Sequence, residues 1–203
     1  NLVRILEENG KPVAQETFSL RVTPAQDAEY MAAVESGDMQ TAQRMVDEAA
    51  KAAGYNVGPV YHGSADSFDA FKKAARSTSG QQLDGWYFSE FEGTAKGYAR
   101  WAAMQKDYQG EARDGVTRKF FIRMANPKRY YNLEDFRVAD RRSLEQEGYD
   151  GALKYPDAGG REIVEAVAFV PEQIKSADPV TRDESGNVIP LSQRFNPADD
   201  RIT

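Results

Sequence analysis

The segment Ile163-Val164-Glu165-Ala166-Val167-Ala168-Phe169-Val170 does most to restrict what this chain can fold into. Apolar residues fall on both alternating sides, the pattern of a strand covered on both faces. Such a strand needs layers above and below it. Glu165 interrupts the run. A carboxylate there resists desolvation, so it must find a partner, take up a proton or serve a chemical purpose. Taken by itself, Glu165 reads most simply as a strand-end glutamate, half exposed or salt-bridged to an arginine.

The rest of the chain supplies the layers. Thr23-Pro24 with Asp27 marks a helix start, with a hydroxyl cap and proline at the first helical position, and the helix runs to about Glu35. Ser36-Gly37-Asp38 breaks it, and Asp38 caps a second helix to Ala53, stopped by Gly54. Met45, Ala49 and Ala52 give that helix a narrow apolar face, widened by Val46 and Ala53. The pair reads as a helical hairpin that packs onto a larger surface. Beyond Gly58-Pro59 the pattern becomes α+β, with strands expected at Val60–His62, Trp86–Ser89, Thr117–Met124, Tyr149–Lys154 and Ile163–Val170. Helices are expected over Glu92–Gln105 and Leu133–Glu147, and polar loops over Ala74–Asp84 and Asp107–Gly115. A weak strand signal surrounds Phe18–Val22, and Asp183–Asn187 reads as a hairpin turn. The expected organisation is a helical extension over 1–57, a central domain over 58–178 and a polar tail over 179–203. Asn1, not Met, opens the sequence, which reads as a piece of a longer polypeptide or a processed terminus.

Two further clusters join Glu165 as candidates for chemistry. In Tyr61-His62-Gly63-Ser64 a glycine stands beside the single histidine, so a ligand can approach the backbone there. In Asp84-Gly85-Trp86-Tyr87-Phe88-Ser89, a strand leads into a helix carrying Thr94, Ala95, Tyr98, Ala99 and Ala102. Small residues around Tyr98 leave a slot on its ring, suited to a flat ligand. Each cluster also has a plain reading, a satisfied structural histidine in one case and aromatic core in the other.

Composition removes several classes of function. No cysteine is present, so disulfides, thiolate metal sites and cysteine nucleophiles are excluded, and one histidine cannot build a His-rich metal centre. The net charge of −6 argues against general nucleic-acid binding by bulk charge. No apolar run approaches the roughly 18 residues of a membrane span. No Gly-x-Gly-x-x-Gly run follows a strand, which speaks against a dinucleotide-binding oxidoreductase. A glycosidase would need a second carboxylate, and only Glu165 lies in so apolar a setting.

The order of these clusters carries a resemblance. Tyr61-His62-Gly63-Ser64, then Trp86-Tyr87-Phe88-Ser89 with Tyr98 eleven positions after Tyr87, then Val164-Glu165-Ala166-Val167-Ala168-Phe169, resembles the His-Tyr-Glu ADP-ribosyltransferases of the diphtheria-toxin and poly(ADP-ribose) polymerase type. The similarity spans about residues 57–177 and is nearest in pattern to the ADP-ribosyltransferase domains of phage and mobile-element polyvalent proteins. There the glutamate strand runs into a phrase like Phe169-Val170-Pro171-Glu172-Gln173-Ile174-Lys175-Ser176-Ala177.

The resemblance implies an α+β fold with a split mixed β-sheet core and flanking helices. It implies NAD as co-substrate and no metal. His62 would hydrogen-bond the adenosine ribose, with Ser64 beside it, and Gly63 would pair its backbone with the nicotinamide carboxamide. Tyr98 would stack on nicotinamide, and Tyr87 would form the opposite wall. Glu165 would bind the nicotinamide-side ribose and oppose the positive charge that develops as nicotinamide leaves. The polymerases place a serine at the position of Ala95, so Thr94 or Ser89 would have to replace its hydroxyl. Ile163 and His62 depart from the pattern of the arginine-modifying class. The implied activity is mono-ADP-ribosylation of a macromolecular acceptor, a protein, in the cytoplasm, including that of a bacterial host after delivery. NAD hydrolysis, a non-catalytic binding module and a structural piece of a phage polyprotein are the alternatives. No membrane partner is implied.

Overall fold

The computed structural model describes residues 22–71, 83–106 and 114–202. Helices α1 (Pro24–Ser36) and α2 (Met39–Ala52) form the hairpin. Thr23 and Gln26 close a reciprocal capping box at the start of α1, and Asp38 accepts the Thr41 amide at the start of α2. Gly54 follows α2 at a φ of 86°, a conformation that favours glycine. The buried face of α2 is Ala42, Met45, Val46, Ala49 and Ala50, whereas Ala52, expected on it, is exposed. The helix lies rotated so that Ala50 meets the partner surface.

Two sheets make the core. The first has strand order β1-β3-β7, from β1 (Val57–Ser64), β3 (Val116–Ile122) and β7 (Ile174–Ser176), all antiparallel. The second has order β2-β6-β5-β4, from β2 (Trp86–Phe88), β6 (Glu165–Ala168), β5 (Gly151–Lys154) and β4 (Pro127–Tyr130). In it β4 and β5 run parallel and the other pairs antiparallel, so the sheet is mixed. Helix α3 (Glu92–Lys106) lies against β1, and the short helices α4 (Leu133–Arg137) and α5 (Arg141–Gln146) cover the second sheet.

Strand alternation sorts the side chains into three cores. Val60, Phe120, Ile122 and Ile174 of the first sheet face Trp86, Phe88, Leu153, Ala166 and Ala168 of the second. Phe121, pointing the other way from β3, packs against the hairpin residues Tyr30, Met45 and Val46 and against Leu191 and Phe195 of the tail. Val167, pointing the other way from β6, packs with Ala152, Phe136 and Leu144. The strand containing Glu165 is thus covered on both faces, as its composition requires.

The structure corrects one expectation, adds two strands and forms the expected turn. The single helix expected over 133–147 is two, because Asp140 accepts the Ser143 amide and starts α5 afresh. β4 and β7 join the expected strands. The hairpin turn forms at 183–187, where Asp183 accepts the Ser185 and Asn187 amides and Arg182 bridges Val188. The expected strand near Phe18 and most of both expected polar loops lie outside the described residues.

Candidate active site

Besides packing across the shared core, the two sheets are joined by main-chain hydrogen bonds. Tyr61 of β1 and Ser89, just after β2, exchange backbone hydrogen bonds of 2.7 and 3.0 Å. Because Tyr61 points its amide and carbonyl toward β2, alternation turns those of Gly63 toward the same edge. Beyond this joint β1 and β2 do not pair among the described residues, and His62, Gly63 and Tyr87 lie beside the parting.

His62 stands on the face of β1 that looks into the inter-sheet core, ringed by Phe68, Phe71, Phe88 and Phe120 at centroid distances of 5.2 to 6.3 Å. Its Nδ1 lies 2.8 Å from the Tyr87 carbonyl. A carbonyl only accepts, so Nδ1 carries the proton and Nε2 keeps its lone pair. Burial holds the imidazole pKa below its ordinary value, against the opposing pull of the carbonyl. His62 is therefore a neutral ring with a fixed tautomer and an acceptor nitrogen.

Tyr87 is the hub. Its carbonyl takes the His62 proton, and its phenol donates to the Leu83 carbonyl at 2.6 Å. Burial pushes the phenol pKa up, and the charges of Glu165, Tyr98 and Asp84 push it further, which places Glu165 and Tyr98 within electrostatic reach of its ring.

Tyr98 is 40% exposed although its helical neighbours Ala95 and Ala99 are buried at 3% and 1%. The ring is thus partly exposed on α3 and does not belong to the buried core. Gly63 lies flush on this helix. A methyl group there would fall 2.7 Å from the Ala99 nitrogen and closer still to the Ala95 carbonyl, so only glycine lets β1 and α3 approach so tightly.

Glu165 opens β6 on the same face as Tyr87, whose partner on that strand is Val167. Its side chain is 16% exposed, and Oε2 lies 3.6 Å from Nζ of Lys154, its cross-strand neighbour on β5. The partner is a lysine where an arginine was one expectation. Glu90, which follows the Tyr61–Ser89 joint, grips the approach to β6. Its amide donates to the Ile163 carbonyl, and its Oε2 accepts the Ile163 amide at 2.6 Å.

The remaining candidates are placed as follows. Ser89 is buried and its Oγ accepts the Phe91 amide at the entry to α3. Thr94 is exposed on the first turn of α3, one turn ahead of Tyr98. The Ser64 hydroxyl donates to the Asp66 carbonyl at 2.7 Å, a turn-forming role away from Tyr87. Lys154 and Glu90 escaped sequence reading, since both act through partners that only the strand register reveals. Among the described residues no group of three or more His, Cys, Asp or Glu could hold a metal ion, and no helix is long and apolar enough to cross a membrane.

Two sheets, one of them mixed, with flanking helices are consistent with the ADP-ribosyltransferase type of fold. Sequence comparison makes the assignment specific. The chain belongs to the family described as ADP-ribosyltransferase in polyvalent proteins, whose sequence model matches residues 54–183. Members of this class take NAD as substrate. A search of curated proteins gave no match.

Proposed function

We propose that this chain transfers ADP-ribose from NAD to a protein acceptor, one unit at a time, releasing nicotinamide. The observation that carries this reading is the arrangement about Tyr87, which holds His62 through its carbonyl and shares its face of the second sheet with Glu165. Nε2 of His62 accepts a hydroxyl of the adenosine ribose. The Gly63 backbone, turned toward the parting, pairs with the carboxamide. Tyr98 and Tyr87 wall the nicotinamide ring without offering a nucleophile. Glu165 binds the other ribose and opposes its positive charge as the glycosidic bond lengthens, an effect magnified where water is scarce. Ala95 brings no hydroxyl, so the carboxamide is read by the Gly63 backbone, with Thr94 as the side-chain donor on α3.

The test is incubation with labelled NAD, alone and with bacterial lysate, beside E165Q, which keeps size and removes charge. Label on protein and free nicotinamide are expected for the wild type. The variant should lose on the order of 10²–10³ in rate, the magnitude of removing a preorganised transition-state contact. Nicotinamide without labelled protein would reassign the activity to NAD hydrolysis. No NAD binding by calorimetry would overturn the site.

A further inference from the structure

We propose that Lys154 is a positioning residue for Glu165, holding the carboxylate in its working orientation before NAD arrives. This inference rests on the functional reading above and adds a residue to it. Lys154 and Glu165 are register partners on β5 and β6, so both side chains rise from the same face of the sheet, the face of Tyr87. The Nζ–Oε2 separation of 3.6 Å is that of an ion pair and too long for a firm hydrogen bond. Both side chains are largely withdrawn from water, at 14% and 16% exposure. Lys154 is itself anchored: its ammonium lies 5.9 Å from the centroid of the buried Phe136 ring on α4.

The pair is not explained by stability. Two charges taken from water regain in mutual attraction about what they lose in hydration, and two apolar residues of similar volume would serve the fold as well. Nor is it explained by the field at the reaction centre, since a second cation beside Glu165 opposes a developing positive charge. Orientation is the effect that remains. Glutamate has three side-chain torsions, and an unheld carboxylate would have to be ordered as the glycosidic bond breaks. Lys154 biases the carboxylate toward its own side of the face in advance, which is preorganisation of the group that must meet the ribose.

The experiment compares wild type, K154M and K154R for NAD affinity by calorimetry, for nicotinamide release at varied NAD, and for thermal unfolding. Methionine keeps the packed stem and removes the charge, whereas arginine keeps the charge. Expected for K154M is a kcat lower by roughly ten- to a hundredfold, as for a misplaced catalytic group. KM and NAD affinity should stay within about twofold, and K154R should recover most of the rate. A folded K154M with wild-type or higher kcat overturns the proposal, because the repulsion between cations would then be the larger effect. K154R as slow as a folded K154M also overturns it. If K154M does not fold, K154R decides between the two. A wild type that does not consume NAD overturns the functional reading and this inference with it, whereas an active wild type with an equally active K154M overturns this inference alone.

Discussion

His62 has an ordinary structural explanation and also meets the demands of its proposed role. It packs among four phenylalanines, as a core histidine would, yet its tautomer is set by the Tyr87 carbonyl and its acceptor nitrogen is left defined. A consequence for pH follows from its burial. The folded-state pKa lies below the ordinary 6.5 of an unfolded chain, so below that pH the unfolded chain binds more protons than the folded one. The stability contributed by the neutral ring is fully present above pH 6.5 and is lost as pH falls toward the folded pKa. Urea titrations from pH 5 to 8 should show wild-type stability declining below about pH 6.5 more steeply than that of H62Q. Equal slopes would mean that the ring protonates freely in the folded state. Tyr98 shows the opposite case: its exposure separates it from the core aromatics with which sequence alone would group it.

At the level of strands and helices, legibility followed the length of the pattern. The β6 segment, α1, α2 and α3 were readable because caps and alternation extend over many residues. β4 and β7 were not, because Pro127-Lys128-Arg129-Tyr130 and Ile174-Lys175-Ser176 are too short and too polar to show a period. His62, Tyr87, Tyr98 and Glu165 stand out as candidates by residue type and order, whereas Lys154 and Glu90 depend on which strand lies beside which. The phrase Phe169–Ala177, noticed as a family pattern, has a physical reason in Gln173. Its amide oxygen accepts the Phe169 and Val170 amides, and its nitrogen donates to the Arg123 and Asp150 carbonyls. One side chain ties the ends of β3, β5 and β6 together, at the edge opposite Glu165. Q173L should cost about 3 kcal/mol in chemical denaturation, since buried main-chain groups lose their partners at once. A loss below about 0.5 kcal/mol would show that the tie is dispensable.

The whole molecule depends on its tail. Arg194, fully buried, donates to the carbonyls of Ser176, Asp178 and Pro179 and to Tyr30, joining the first sheet to the hairpin. Lys175, equally buried, donates to the carbonyls of Asp199 and Arg201, and burial draws its pKa down to about 8. Leu191 and Phe195 complete the core beneath the hairpin, and Ile202 completes the one between the sheets. Losing three such side chains forfeits about 5–8 kcal/mol, comparable with the whole stability of a domain. A chain ended at Asp178 should therefore lack a cooperative unfolding transition by circular dichroism, and a sharp transition near the wild-type temperature would refute this. The contact between Gly63 and α3 sets a different limit. Main chain resting on main chain is a spacer with no adjustable part, so the interval between the strand edge and Tyr98 cannot be retuned by exchanging side chains. If Tyr98 walls the nicotinamide as proposed, the seat for that ring comes in one width.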